Sequence, residues 1–145
     1  MKNTGCMYCL ESEKLKSLMT FIRDLPSSKV YLYKKNSDFP GRCIVSLDTH
    51  ETELFNIDEK TRHDFVESVS RVAKAVYTAA GADKINYAIY GDTVSHLHVH
   101  IVPKHKNGLD WNIPFAVSRD DKTPEMPDRE VERWSDKIKS LIEGS

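Results

Sequence analysis

The sequence predicts an α+β fold: an antiparallel sheet of about five strands, one long helix packed on it and a second helix at the C-terminus. Three observations carry this. Phe65, Val66, Val69, Val72, Ala73, Val76, Tyr77 and Ala80 recur at helical spacing between Asp58, a good N-cap residue, and Gly81, a helix stop. β-branched and aromatic runs lie on both sides of that helix. Val131, Trp134, Ile138, Leu141 and Ile142 then repeat the helical period after Asp128, which can cap a last helix. A chain of 145 residues suits a single domain over 1–145, with its core over about 6–103 and a loop and helix over 104–145.

Taken in order, Leu15, Leu18, Met19 and Ile22 fit one or two helical turns, while residues 20–23 read equally well as strand. Val30, Tyr31, Leu32 and Tyr33 form a strand, residues 36–41 have turn chemistry, and Cys43 to Leu47 form the antiparallel partner. After the long helix, residues 85–90 and 96–102 read as two neighbouring strands joined through a tight turn at Gly91 and Asp92, with Pro103 ending the second. Residues 107–127 hold Gly108, Pro114, Pro124 and Pro127 and read as loop.

Composition excludes several classes. The chain has 21 Lys+Arg against 22 Asp+Glu, with signs mixed along it, so neither an acidic tail nor a surface for coating a nucleic acid polymer is indicated. No apolar run approaches the roughly 18 to 20 residues of a membrane span. The opening residues hold no signal-peptide core, which makes a cytoplasmic protein the expectation. Three cysteines do not all pair within one chain, and in a reducing compartment metal binding or burial is favoured over disulfides.

Histidine is the anomaly. Four of six, His96, His98, His100 and His105, fall within ten residues. In the run 96–102 three histidines alternate with Leu97, Val99 and Ile101, so a strand puts the imidazoles on one face and the aliphatic side chains in the core. Such a row can clamp a metal, or attack phosphorus through one neutral imidazole with its neighbours as acid, base or hydrogen-bond donor. A polar strand face without a task would more ordinarily carry Thr, Lys or Glu. Residues 93–109 contain no Asp or Glu but include Lys104 and Lys106, an expected cationic patch for an anionic ligand. Gly91, Thr93 and Ser95 add close backbone approach and two hydroxyls beside the row.

Cys6 and Cys9 form a C-x-x-C, which alone fits half a zinc site, a redox pair or chance; no βαβ pattern accompanies it, which weakens the redox reading. A zinc site needs two further ligands, with His50, His63 and His105 available outside the row. His63 sits on the solvated side of the long helix, and Cys43 reads as a small core residue.

The run 96–102 resembles the His-φ-His-φ-His-φ-φ signature, φ being apolar, of the histidine triad nucleotide hydrolases and transferases. The likeness extends to the order of elements over about 6–103. It implies a homodimer that binds an adenine or guanine mononucleotide moiety and cleaves a phosphoanhydride or phosphoramidate at the α-phosphate through a covalent nucleotidyl-histidine. By this resemblance His98 is the nucleophile and His100 stands beside the attacked phosphate. Cys6, Cys9, His50 and His96 match the structural zinc ligands of many bacterial members, and no organic cofactor is implied. Asn86 matches a position typical of one branch of the family, and with Asp92, the hydroxyls of Thr93 and Ser95, and His100 it makes up the expected substrate-binding set. The short loop before the triad looks like a branch described as dinucleoside polyphosphate hydrolase-like, except that Asp92 replaces the usual amide and puts a carboxylate beside an expected phosphate. A nucleotide-binding dimer with little turnover is the alternative that Asp92 raises.

Overall fold

The computed structural model describes residues 3–35, 37–117 and 122–145. Two short helices, α1 (Met7–Leu10) and α2 (Glu13–Leu18), lead into β1 (Met19–Leu25) and β2 (Ser28–Tyr33). β3 (Cys43–Leu47) and a 3-10 turn precede the long helix α3 (Glu59–Ala80), followed by β4 (Lys84–Ala88), β5 (His98–Lys104) and α4 (Asp128–Glu143). One five-stranded antiparallel sheet results, in the order β1-β2-β3-β5-β4. The expected α+β architecture is the observed one.

Both readings of residues 15–23 hold in sequence. Ser12 caps α2 by accepting from the Leu15 amide, the helix ends at Leu18, and strand pairing begins at Met19 opposite Tyr33. The Asp58 carboxylate likewise accepts from the Thr61 amide at 2.9 Å, and Gly81 closes α3 in the left-handed region with φ 59°.

The two faces of the sheet do different work. Val30, Leu32, Cys43, Val45, Leu47, Val99 and Ile101 point to α3 and α4 and meet Phe65, Val72, Val76, Ile138 and Ile142. Each such side chain contributes roughly 1.5 to 3 kcal/mol by leaving water, so this layer holds the strands rigid. The opposite face carries Tyr31, Tyr33 and Ile44 under Tyr8, Leu15 and Met19 of the N-terminal segment. Alternation puts His98 and His100 on this second face, opposite Ser46 and Ile44 of β3.

Four local expectations need correction. β4 stops at Ala88 and β5 starts at His98, so residues 89–97 form a loop and no tight turn joins the strands at Gly91 and Asp92. His96 therefore precedes β5, although Leu97 is tied in by bonds from its amide to the Glu51 carbonyl and from the Leu47 amide to its carbonyl. Pro103 does not end β5: it pairs with Ile85 beyond the last β3 partner of the strand, where its missing N–H interrupts no ladder on that side. Pro127, not Asp128, occupies the cap position of α4, and Asp128 is its first helical residue, an acid in the first turn where the helix dipole favours one.

Candidate functional site

His98 and His100 form the floor of a cleft of about 590 Å³. Tyr8, Met19, Tyr33 and Ile44 give it an apolar wall, and residues 90–94 close the other side. The imidazoles are 7% and 8% exposed, with ring centroids 5.1 Å apart. His98 Nδ1 lies 2.6 Å from the His96 carbonyl oxygen. A carbonyl only accepts, so Nδ1 carries the proton and Nε2 keeps a lone pair. Burial holds the pKa of His98 below the usual imidazole value, the His96 carbonyl opposes this, and the Arg42 charge adds to the lowering. His98 is thus an uncharged imidazole with a free Nε2.

His100 is lowered further, to about 3, by burial first and by Arg42 and His98 after it. Arg42 Nη2 lies 3.0 Å from His100 Nδ1. Tyr90 and Phe115 flank the same ring at centroid distances of 5.6 and 5.9 Å. A depressed native pKa has a sign for stability. Below about pH 6.5 the unfolded chain takes up a proton that native His100 refuses, so stability falls as pH drops from about 6.5 toward 3. Urea unfolding at pH 7.5 and 5.5 should show a loss of about 1 kcal/mol from this group. The same loss in His100→Gln would remove His100 as its source.

A second cluster lies beside the first. Cys6 and Cys9 sit at the N-cap and in the single turn of α1, His50 lies three residues beyond β3, and His96 two residues before β5. Their ligand atoms all fall within 4.8 Å of one another. Cys6 Sγ to His96 Nδ1 is 3.3 Å, Cys9 Sγ to His50 Nδ1 3.4 Å, Cys9 Sγ to His96 Nδ1 3.5 Å, and His50 Nδ1 to His96 Nδ1 3.2 Å. Tetrahedral zinc with ordinary bond lengths needs edges of about 3.6 Å between S and N and about 3.3 Å between two N. The four residues therefore fit a tetrahedral metal. His96 Nε2 donates to the Leu47 carbonyl at 2.7 Å, which turns the Nδ1 lone pair toward the cluster. Burial pushes the Cys6 thiol up, and a divalent cation supplies the charge that favours thiolate.

The remaining expected site residues separate. Thr93 lines both the cleft and the pocket beside the cysteines, while Asp92 is exposed and lines the cleft. Ser95 lines only the pocket with Cys6, His50 and His96. Asn86 lies outside the cleft: its side-chain oxygen accepts from Lys104 Nζ at 3.2 Å, beside Trp111 and Ile113. The expected cationic patch is not there either. Lys104 is 2% exposed and donates to the Asp110 and Ile113 carbonyls, far down β5 from the imidazoles, and the Lys106 amide donates to Asp83. Among the described residues, the cationic side chain that does line the cleft is Lys14 of α2. His63 is exposed on α3 and Cys43 is buried in the core, both as expected. Arg42 and Tyr8 went unseen in the sequence, because an arginine after a glycine in a turn and a lone aromatic carry no spacing signal, whereas Phe115, readable from sequence as either pocket lining or core cover, stands beside His100.

A strand-borne pair of neutral imidazoles facing a cleft, with a Cys2His2 cluster steadying its entry, defines a histidine-row protein on an α+β sheet. The family model described as "HIT domain" matches residues 20–107, and the chain belongs to that histidine triad family. A curated relative, "Protein hit" of Bacillus subtilis, is 25% identical over 114 residues, covering 70% of this chain and 79% of that one. Among solved structures, the histidine triad protein blr8122 of Bradyrhizobium japonicum superposes with TM-score 0.79 at 26% identity, covering 90% of this chain and 96% of that one. A Zn-bound histidine triad family protein of Mycobacterium smegmatis shares the fold with TM-score 0.69 at 21% identity, over 96% and 94% of the two chains.

Proposed function

We propose that this protein is a nucleotide hydrolase or nucleotidyl transferase that cleaves the α-phosphate bond of a dinucleoside polyphosphate or nucleoside phosphoramidate through a nucleotidyl-histidine. The observation that carries the reading is His98, uncharged, proton on Nδ1, lone pair on Nε2, at the floor of a cleft with an apolar wall. His98 Nε2 attacks the α-phosphorus and a new N–P bond forms. The bond from phosphorus to the leaving group breaks, and the leaving group keeps its electron pair. Water then attacks the same phosphorus and loses a proton to solvent, the N–P bond breaks with its electron pair returning to Nε2, and the mononucleotide leaves with neutral His98 restored. His100, Thr93 and backbone amides of residues 91–94 stabilise the phosphoryl oxygens, and the wall of Tyr8, Met19, Tyr33 and Ile44 takes the base.

Cys6, Cys9, His50 and His96 would hold a structural zinc, whose role is to fix α1 and the entry to β5. Three free cysteines agree with a cytoplasmic, reducing setting. Among the described residues no helix is long and apolar enough to cross a membrane.

Rapid quench of an adenylated substrate followed by intact-mass measurement tests the chemistry: a nucleotide adduct on the wild type supports it, and none at any time point sinks it. Asp92 in the cleft favours the alternative of a nucleotide-binding dimer with little turnover, for which micromolar affinity without hydrolysis of either substrate class would speak.

The homodimer has a surface to use. β4 is an edge strand, and Tyr87 on it lines one groove with Val66 of α3, the two being 57% and 54% exposed. We expect light scattering to give twice the chain mass, and Tyr87→Asp with Val66→Glu to give a monomer that keeps its helical spectrum. A wild-type monomer at micromolar concentration would refute the dimer.

A further inference from the structure

We infer that Arg42 is a positioning residue that holds His100 with its proton on Nε2, so that the two cleft histidines carry opposite tautomers. A guanidinium has five N–H donors and no acceptor. Arg42 Nη2, 3.0 Å from His100 Nδ1, therefore needs a lone pair on that nitrogen. A neutral imidazole has one N–H, and the remaining place for it is Nε2. His98 is set the other way, because its Nδ1 faces the His96 carbonyl, which demands a proton there. One strand thus presents a lone pair at His98 and, from a ring whose centroid is 5.1 Å away, a donor at His100.

The surroundings make Arg42 hard to move. It is 1% exposed, and its Cζ stands 4.1 Å from the Tyr33 ring centroid and 5.1 Å from that of Phe115. Two aromatic faces hold the guanidinium plane, and the charge opposes protonation of His100. A lysine in its place would be a rotatable point charge without that fixed fork.

For the reading proposed above, on which this consequence rests, the opposite tautomers divide the labour. His98 gives electrons to phosphorus, and His100 gives a hydrogen bond to a phosphoryl or bridging oxygen. A neutral imidazole is a good hydrogen-bond donor and a poor Brønsted acid. The site therefore suits leaving groups that depart as stable anions, such as the phosphate chain of an anhydride, over amines that must be protonated to leave.

The test reads the tautomer directly. Zinc-loaded protein labelled with 15N-histidine gives long-range 1H–15N correlations that separate protonated from unprotonated ring nitrogens, and His100→Gln identifies the His100 pattern. In the wild type we expect His100 protonated on Nε2 alone. In Arg42→Met, which keeps length and removes the donor, His100 should show both tautomers, and kcat on a dinucleoside polyphosphate should fall about 10- to 100-fold with KM within threefold. Arg42→Lys should recover part of each. A wild-type His100 protonated on Nδ1, or an Arg42→Met spectrum identical to wild type, overturns the inference. The wild-type spectrum decides it even if Arg42→Met does not fold. Were no nucleotide turned over, the hydrolase reading would fall while the spectra still ruled on Arg42.

Discussion

His98→Ala is expected to lower kcat by at least about 10⁴-fold and to abolish the nucleotide adduct, because the substitution removes the atom that forms the N–P bond. Water entering the vacated space is a weaker nucleophile and is not aimed by a strand. The same variant should keep its metal, since the four candidate ligands do not include His98. It should also stay folded: a small cavity opens at a half-polar site on the cleft side, while the helix-side core is untouched. Steady-state turnover, intact mass after rapid quench, and metal content by plasma emission decide between the readings together. Turnover within tenfold of wild type would end the role of His98 as nucleophile. Loss of metal along with activity would instead make the imidazole row a metal site and the protein a metal-dependent hydrolase.

The parts of the molecule legible in the sequence are those that local periodicity governs. α3 follows from apolar spacing between Asp58 and Gly81, and the alternation of residues 96–102 put His98 and His100 on the face away from α3 and α4, where they are. What stayed hidden depends on long-range placement. Arg42 sits in what reads as solvated turn chemistry, yet Gly41, at φ 95° and with a Cβ position only 3.0 Å from the Trp134 ring, bends the chain inward there and leaves the arginine, one residue before β3, against Phe115. Lys104 lies in an acid-free stretch of sequence, but strand geometry carries it four residues beyond His100 and a loop from 110–113 folds over its ammonium. Charge counted along the chain misjudged charge in space. Asn86 was drawn off in the same way, by pairing opposite Val102 and bonding to Lys104. Even the start of β5 turned on distant residues, because His96 bonds to the Leu47 carbonyl and faces Cys6 and Cys9 instead of pairing in the ladder.

Zinc should be present at one per chain, and its removal should be the largest single change in stability. The four ligands join the N-terminus, the end of β3 and the entry to β5, segments far apart in sequence, so the ion closes two long loops that the unfolded chain leaves open. If the metal is worth about 4 kcal/mol, a domain of this size should lose about 10 °C of melting temperature on chelation or in Cys6→Ser with Cys9→Ser. The effect should reach the cleft. Tyr8, between the two cysteines, has its ring 5.2 Å from those of both His96 and His98, and it forms part of the apolar wall. Freeing α1 would release that wall and loosen the aim of His98, so the metal-free protein should bind a nucleotide more weakly in a calorimeter even where it remains folded. A metal-free chain with unchanged melting temperature and unchanged nucleotide affinity would remove zinc from the design of this protein, and the 3.2 to 3.5 Å spacing of its ligand atoms would then need another cause.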